Sequence, residues 1–309
     1  MTERSQIVTA ARDTIAQGSQ SFAAASKLFA PATRERAWLL YAWCRAADDL
    51  TDGQELGHNA ALQARPEAAQ AELEVLTRLA LDSSQDVPPA FAALRLVAHE
   101  TAMPRSFIAD HLAGFALDAA GWRPQTREDL LQYCYHVAGT VGCMMAVVMG
   151  VSPEDDDTLD RACDLGLAFQ LANIARDIVP DAQVGRCYLP AQWLKEAGLS
   201  ERDLADPRCR KQVAILAQRL VEMSRPFRRS ARVGAARLPV RSRLAVLAAD
   251  GIYGSIGEKV LARGSKAWDQ RVRIGSMGKL GLLALAALRA LGPAPNTPRG
   301  ELWTRQRQS

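Results

Sequence analysis

Residues 170–181 read Gln-Leu-Ala-Asn-Ile-Ala-Arg-Asp-Ile-Val-Pro-Asp and are the most informative segment of the sequence. Asn173, Asp177 and Asp181 are spaced i, i+4 and i+8, so a helix would place them near one face. Its apolar positions follow the i, i+3, i+7 spacing of a buried stripe: Leu171, Ile174 and Ile178. The stretch predicts a helix with oxygen ligands beside a buried face. Mg²⁺ takes such carboxylate and amide oxygens and often shares them with a substrate phosphate.

A second acidic cluster lies earlier in the chain, where residues 45–52 read Arg-Ala-Ala-Asp-Asp-Leu-Thr-Asp. Asp48 and Asp52 are again four residues apart, and Arg45 precedes the first of them by three. These residues end a helix predicted over 34–51. Carboxylates at a helix C-terminus oppose the helix dipole, which favours cations there. A bound metal ion would compensate for this charge.

The composition predicts an all-α protein. The chain has 309 residues, of which 48% are hydrophobic, so it can bury a sizeable core. Ala, Leu, Arg, Glu and Gln dominate, and β-branched runs are few. The helix over 158–181 is expected to stop or bend at residues 178–180, because proline interrupts a regular helix.

Several function classes lack their signatures. The net charge of +4 and the absence of aromatic–basic platforms argue against a nucleic-acid binder. No P-loop, Gly-x-Gly-x-x-Gly fingerprint or Gly-x-Ser-x-Gly elbow occurs. The six cysteines have no metal-ligand spacing and predict a reducing compartment. With no signal peptide and no apolar run of about 18 residues, a cytoplasmic location is expected.

Two features remain open between a structural and a functional interpretation. Twelve Lys and Arg residues occur over residues 202–243; they form either a solvated helical face or a surface for anionic lipid. Gly139 and Gly142 lie in a strongly apolar helical segment, where small residues admit either a neighbouring helix or a ligand chain. Periodicity alone favours helix packing.

The two acidic clusters indicate more together than either does alone. Two helices that each offer paired carboxylates to one cavity, in an otherwise apolar α-helical chain, suggest metal ions above an apolar tunnel. The matching ligand is a diphosphate with a long hydrocarbon tail. Metals and arginines would make the diphosphate a leaving group, and the tunnel would shelter the resulting carbocation from water.

At this point the chain resembles the squalene/phytoene synthase family, and within it the carotenoid-forming bacterial branch that makes phytoene. The segments that carry the resemblance are residues 18–22, 40–49, 133–142, 164–178, 185–190 and 267–271. The resemblance covers about residues 5–290. It implies an isoprenoid synthase fold, a single helical bundle around a central cavity, over residues 1–292. Residues 293–309 are expected to form a disordered tail.

The resemblance also implies a reaction. Two geranylgeranyl diphosphates condense head to head, through prephytoene diphosphate, to phytoene with release of diphosphate, the first committed step of carotenoid biosynthesis. Mg²⁺, or Mn²⁺, is the expected cofactor, and no NADPH is expected. Because the product is a forty-carbon hydrocarbon, peripheral contact with the inner face of the cell membrane is expected.

The resemblance assigns roles residue by residue. Metal binding falls to Asp48, Asp52, Asn173, Asp177 and Asp181, with Asp49 as an orienting residue. The remaining catalytic positions are Tyr41, Arg45 and Tyr253. Diphosphate and substrate contacts fall to Ser21, Tyr133, Gln170, Arg176, Arg186, Tyr188 and Arg271, and the chain tunnel to Phe22, Val137, Ala138 and Gly142.

The sequence departs from the family at two positions, and three alternatives stay open. Gln20 stands where many relatives have Lys, and Pro180 stands where a helix-tolerant residue is common; the second affects the placement of Asp181. The alternatives are a C30 diapophytoene- or squalene-type synthase, a terpene cyclase and a non-catalytic scaffold of the same fold. Intact acidic motifs argue against the scaffold, and the segment over 133–142 favours condensation over cyclisation.

Overall fold

A computed structural model of the chain describes residues 3–18, 20–52 and 65–307, apart from the side chains of Gln20, Ser21, Ala24 and Asp52. All regular secondary structure in these ranges is helical, which confirms the all-α class. The chain divides into two compact units, residues 1–120 with 144–155 and residues 121–143 with 156–309. The predicted roles of the Ser21 and Asp52 side chains lie outside the described residues, and the single central cavity stays a prediction.

The first unit is built around α3. Its helices are α1 (Glu3–Gly18), α2 (Gln20–Ser26), α3 (Pro31–Asp52), α4 (Pro66–Asp82), α5 (Pro89–Thr101) and α6 (Arg105–Ala119). Leu39, Leu40 and Trp43 on α3 are fully buried, and α3 packs against α1, α4 and α5. Proline occupies the first position of α3, α4 and α5, where its missing N–H breaks no helical hydrogen bond. These contacts hold the first acidic cluster at the end of α3.

The second unit is built around α9. Its elements are α7 (Arg127–Cys134), a π-helical turn (Tyr135–Gly139), α8 (Thr140–Val148, whose last five residues belong to the first unit), α9 (Asp156–Gln183), α10 (Ala191–Glu196), α11 (Arg210–Ala235), α12 (Val240–Arg263) and α13 (Ser276–Leu291). Short 3₁₀ turns cover Glu201–Ala205, Pro207–Cys209 and Gly264–Lys266. α9 packs against the π-helical turn, α11 and α12, and α13 packs against α12.

The helix over 158–181 was predicted to stop or bend at residues 178–180; α9 does not stop there but continues through Pro180 to Gln183. A proline inside a helix removes one hydrogen bond and costs about 3 kcal/mol or more. Pro180 itself is exposed, whereas Ile178 and Val179 beside it are buried. Burial of each large apolar side chain contributes about 1.5–3 kcal/mol, which offsets that cost. The predicted buried stripe of Leu171, Ile174 and Ile178 is confirmed.

Glycines bring α9 unusually close to the segment that precedes it. A Cβ atom added to Gly142 would collide with the carbonyl oxygen of Ala162, and one added to Gly166 would collide with the carbonyl oxygen of Ala138. At Gly139 a Cβ atom would lie 2.8 Å from a Leu167 methyl group. The helix-packing interpretation of these small residues is therefore supported, and the predicted place of Gly142 in a chain tunnel stays a prediction.

Gly142→Ala is expected to destabilise the protein and lower its soluble yield, because backbone atoms of α9 occupy the space of the new methyl group. Overpacking of this kind typically costs about 1–3 kcal/mol. Gly281→Ala is the matched control, since Gly281 is helical with open space around it; it should be neutral or stabilising by about 0.5–1 kcal/mol. Thermal unfolding of both variants gives the comparison. Equal melting temperatures would contradict the packing argument.

The segment after α13 has no regular secondary structure, but its arginines pair with α9. Arg299 holds both carboxylate oxygens of the fully buried Asp164, with N···O distances of 2.9 and 2.8 Å. Arg305 and Arg307 pair with Asp160 at 3.0 and 2.9 Å. This arrangement, described through residue 307, differs from the disordered tail that composition predicted.

One continuous helical stretch, Arg127–Val148, is long and apolar enough to cross a membrane by length and composition. It combines α7, the π-helical turn and α8, and 61% of its most apolar window is buried inside the protein. That burial is typical of a core helix. All six cysteines are free thiols, and four of them are buried.

Candidate functional site

The first acidic cluster sits at the C-terminal end of α3. Arg45 lies 3.2 Å from a carboxylate oxygen of Asp48 and 3.6 Å from one of Asp49. Asp48 and Asp49 follow Arg45 by three and four residues, the helical spacings at which side chains are neighbours. One guanidinium between two carboxylates leaves this cluster with net negative charge. It can therefore bind a cation or, through Arg45, an anion that brings its own cation.

Tyr41 lies one helical turn before Arg45. Its hydroxyl oxygen is buried and has no hydrogen-bond partner, and its ring stacks on Phe22 with a centroid distance of 5.4 Å. Burial raises the pKa of Tyr41, so the phenol stays neutral and can donate a hydrogen bond. An unpaired buried hydroxyl costs about 1–3 kcal/mol. A bound anion would satisfy it.

The second cluster lies on α9 and is the more completely assembled of the two. Asp177 accepts hydrogen bonds at 3.0 Å from Nε of Arg176, and Arg271 lies 3.4 Å from the same carboxylate. One turn earlier, the amide oxygen of Asn173 is buried and has no hydrogen-bond partner. One turn later, Asp181 completes the predicted i, i+4, i+8 ladder. The sequence prediction of one polar face on this helix is confirmed.

Asp181 is the most electrostatically strained group of the ladder. Burial and the nearby Asp177 carboxylate raise its pKa to about 7, against the lowering effect of Arg186, Arg176 and Arg271. Backbone hydrogen bonds fold the following loop back onto α9, because the Arg186 N–H donates to the Asp181 carbonyl oxygen at 2.8 Å. Asp181 therefore needs a further positive charge nearby to stay ionised at neutral pH.

The α9 ladder fits a hard divalent cation. It offers two carboxylates and an amide oxygen that lacks a partner, which is the oxygen-rich chemistry that Mg²⁺ prefers. Among the side chains that the structure describes, no three Cys, His, Asp or Glu groups converge into a metal cluster. Mg²⁺ commonly uses one or two carboxylates and completes its shell with water and substrate phosphate. The ladder matches that open mode of binding.

Asp181→Asn is expected to stabilise the metal-free protein at about pH 8 by a few degrees and to remove its stabilisation by Mg²⁺. The Asp181 carboxyl has a pKa near 7 in the folded protein and an ordinary value of 3.8. Its ionisation therefore destabilises the fold increasingly as the pH rises between these values, and the amide avoids that penalty. Below about pH 4 both proteins should melt alike.

Thermal unfolding with and without Mg²⁺ at both pH values provides the measurement. An Mg²⁺-dependent rise in melting temperature that is as large in the variant as in the parent would contradict a metal role for Asp181.

Aromatic stacks lie among the predicted substrate residues. Trp122, Tyr133 and Tyr188 form a continuous stack with centroid distances of 5.7 and 4.9 Å. Phe169 stacks on Tyr253 at 4.0 Å, and burial raises the pKa of that tyrosine. Sequence reasoning missed Trp122 and Phe169. Phe169 immediately precedes residues 170–181, so its position could have marked it as a candidate site residue. Nothing in the sequence around Trp122 marked that residue.

The structure gives the positions of the remaining predicted site residues but does not show what they bind. Arg186 is exposed on the loop after α9, and Gln170 is partly buried one turn before Asn173. Val137 and Ala138 lie in the π-helical turn. Such turns are rare and frequent at functional sites. Within the second unit the structure shows side-chain contacts of Arg176 with Asp177, Asp177 with Arg271, and Tyr133 with Tyr188, beside the backbone hydrogen bond from Arg186 to Asp181.

The comparisons with known proteins agree with this geometry. The model of the squalene/phytoene synthase family matches residues 15–277. The 15-cis-phytoene synthase of Enterobacter agglomerans is 50% identical over 293 residues, which cover 93% of this chain and 98% of that one. The 15-cis-phytoene synthase of Pantoea ananas is 51% identical over 262 residues, 84% of each chain.

Structural similarity points the same way. The crystal structure of a dehydrosqualene synthase superimposes with a TM-score of 0.81 at 26% sequence identity, and the match covers 92% of this chain and 96% of that chain. This similarity confirms the isoprenoid synthase fold that was predicted. By sequence and by fold, the chain belongs to the squalene/phytoene synthase family.

Proposed function

We propose that the protein is a 15-cis-phytoene synthase that joins two molecules of geranylgeranyl diphosphate into phytoene. Enzymes of this family act on prenyl diphosphates and generally use a divalent metal. The observation that carries the proposal is the α9 ladder, with its unpartnered Asn173 oxygen and its two arginines on Asp177. It occurs in a chain that is 50% identical to a relative named 15-cis-phytoene synthase.

The first step is an ionisation. The C1–O bond of one geranylgeranyl diphosphate breaks, and its electron pair leaves with the diphosphate. Arg176 and Arg271, which pair with Asp177, turn to the departing oxygens and neutralise their charge. Divalent cations would supply further Lewis-acid stabilisation of the leaving group; Asp48 and Asp52 would hold metal in one cluster, and Asn173, Asp177 and Asp181 would hold it in the other.

The second step forms a carbon–carbon bond. The C2=C3 double bond of the second molecule attacks C1 of the allylic cation, and loss of one proton closes a cyclopropane to give prephytoene diphosphate. The second diphosphate then departs, the ring rearranges, and loss of another proton gives phytoene. Two diphosphates and two protons are released for each phytoene. Free diphosphate or a side chain accepts the last proton.

Aromatic faces stabilise the positive charge that develops along this path. Tyr253 lies against Phe169, close enough to α9 for the charge on Arg176 to affect its pKa. The stack of Trp122, Tyr133 and Tyr188 offers a second aromatic surface. Cations are attracted to such faces by about 0.5–2 kcal/mol, and the ring carbons supply no nucleophilic oxygen that would capture the cation. These residues therefore hold the chain while excluding water.

Mg²⁺ is the proposed metal, and the reaction needs no NADPH because it ends by proton loss. The protein acts in the cytoplasm with peripheral contact to the membrane, since a forty-carbon hydrocarbon leaves into lipid. The C30 alternative deserves a direct test, because the superimposed crystal structure is that of a dehydrosqualene synthase.

A competition between substrates tests the chain length. Purified protein is incubated with equal amounts of farnesyl and geranylgeranyl diphosphate and Mg²⁺, without NADPH, and the hydrocarbons are separated by chromatography. We expect the C40 product to dominate. A dominant C30 hydrocarbon would keep the mechanism and replace the proposed substrate.

A further inference from the structure

The outer face of α13 carries most of the exposed large hydrophobic side chains of the described residues. Nine such side chains are exposed in the described part of the chain, and five of them lie on this one helix. Met277, Leu280, Leu288 and Leu291 are 60–81% exposed, and Leu285 is 40% exposed. The first four recur at helical spacing and form one stripe, which we call the α13 stripe.

The α13 stripe is not a by-product of poor packing. The other face of the helix is fully used: Ala286 and Ala290 are buried in a cluster with Ala235, Leu247 and Ala248, and Leu283 packs against it. A helix that is apolar all round is normally buried on all sides. Among the described residues, α13 is packed on one face only, so its second apolar face is available to a partner.

The charge of the segment around α13 indicates which kind of partner fits the α13 stripe. Residues 270–291 contain no acidic residue, and Arg273 and Arg289 in this segment are exposed, whereas Arg271 pairs with Asp177. In the other basic segment, residues 202–243, six of the twelve cations form ion pairs: Arg208, Arg219, Arg225, Arg228, Arg232 and Arg237. Two copies of α13 packed together would bring like charges close. An anionic bilayer surface meets both the charge and the apolar stripe.

The length of α13 determines how it can lie on a bilayer. α13 has 16 residues, about 24 Å at 1.5 Å per residue, whereas a spanning helix needs about 20 residues. The helix therefore lies flat, with its stripe in the headgroup region. It begins five residues after Arg271, which pairs with Asp177, so at about 3.5 Å per residue its start lies within about 18 Å of that arginine along the chain.

We propose that the α13 stripe docks the protein onto the surface of an anionic lipid bilayer. The reason for docking rests on the proposed function, because an apolar product needs lipid near the site that makes it. The docking itself depends only on the surface of α13.

Flotation of the full chain with vesicles tests the proposal. The vesicles are phosphatidylcholine with phosphatidylglycerol, and phosphatidylcholine alone serves for comparison. The docking variant carries Met277→Gln, Leu280→Gln, Leu288→Gln and Leu291→Gln. The matched control carries Val75→Gln, Val184→Gln and Ile215→Gln, which are also exposed apolar residues but lie elsewhere. Circular dichroism and the melting temperature establish that each variant is folded.

We expect the parent and the control to float with anionic vesicles, and the docking variant to bind at least about tenfold more weakly. Equal flotation of parent and docking variant would overturn the proposal, as would a parent that does not float. A parent dimer in sedimentation, lost in the docking variant without any lipid binding, would assign the stripe to a second copy and also overturn it. Activity in detergent micelles separates the two hypotheses: an inactive parent there contradicts the proposed function, while flotation alone decides the docking.

Discussion

Asp177→Asn is expected to lower the rate of hydrocarbon formation by about a thousandfold, the scale seen when a group that stabilises transition-state charge is removed. Asp177 stands at the centre of the α9 ladder and holds Arg176 and Arg271 in place. The amide keeps the size of the side chain but removes the charge that binds a cation and orders both arginines. Initial rates with geranylgeranyl diphosphate over a series of Mg²⁺ concentrations measure the effect.

Asp13→Asn is the matched control for this substitution. Asp13 lies on α1, is largely exposed and pairs with the neighbouring Arg12 on the surface, so its loss should leave the rate unchanged. Asp177→Asn protein that keeps the parental rate and the parental Mg²⁺ requirement would contradict the assignment of the α9 ladder as the metal and diphosphate site.

Arg299→Met is expected to lower the free energy of unfolding by about 3–5 kcal/mol, as is typical when one partner of a buried ion pair is removed. Arg299 makes a two-point contact with Asp164, whose side chain is fully buried, and it also donates to the carbonyl oxygen of Trp303 at 2.6 Å. The variant therefore loses both the counter-charge of Asp164 and a support of the C-terminal segment. Denaturant unfolding measures the loss.

The loss should depend on pH in a defined direction. Burial already raises the pKa of Asp164 above its ordinary value of 3.8, and Arg299 lowers it; removing Arg299 raises it further. A carboxyl with a raised pKa in the folded state destabilises the protein only where it must ionise. The variant should therefore resemble the parent most closely below about pH 4 and fall behind as the pH rises through the folded pKa of Asp164.

Two further variants test whether the loss of stability comes from the ion pair between Arg299 and Asp164. Adding Asp164→Asn to the variant should restore part of the stability, because a buried amide needs no counter-charge. Arg208→Met should have little effect, since Arg208 is almost fully exposed in its pair with Asp206. An Arg299→Met protein as stable as the Arg208→Met protein would show that the tail does not support α9.

Local patterns in the sequence predict much of this architecture. The ends of α9 lie within two residues of those predicted, residues 158 and 181. The polar ladder and the buried stripe of α9 follow from residue spacing alone, because the helical period places side chains on faces without any tertiary information. The same spacing places Arg45, Asp48 and Asp49 together on α3.

Tertiary contacts explain what the sequence did not reveal. Pro180 was expected to end or bend α9, and the buried residues beside it sustain the helix beyond that position. The tail was expected to be disordered because Pro-rich composition describes local preference, whereas Arg299 and Asp164 are 135 residues apart in the chain. The stack of Trp122 on Tyr133 likewise cannot be predicted from the periodicity of apolar residues along the sequence. The assigned ligand roles remain predictions, because they concern molecules that bind to the protein.

Analysis of the product tests whether the protein joins two geranylgeranyl diphosphates into phytoene. Purified protein is incubated with geranylgeranyl diphosphate and Mg²⁺, without NADPH and with detergent or lipid present, and the hydrocarbon fraction is separated by chromatography. If the protein is a metal-dependent phytoene synthase, a phytoene peak should form and should disappear when EDTA removes the metal. Folded protein that forms no hydrocarbon from geranylgeranyl diphosphate, or that forms it undiminished in EDTA, would contradict this function.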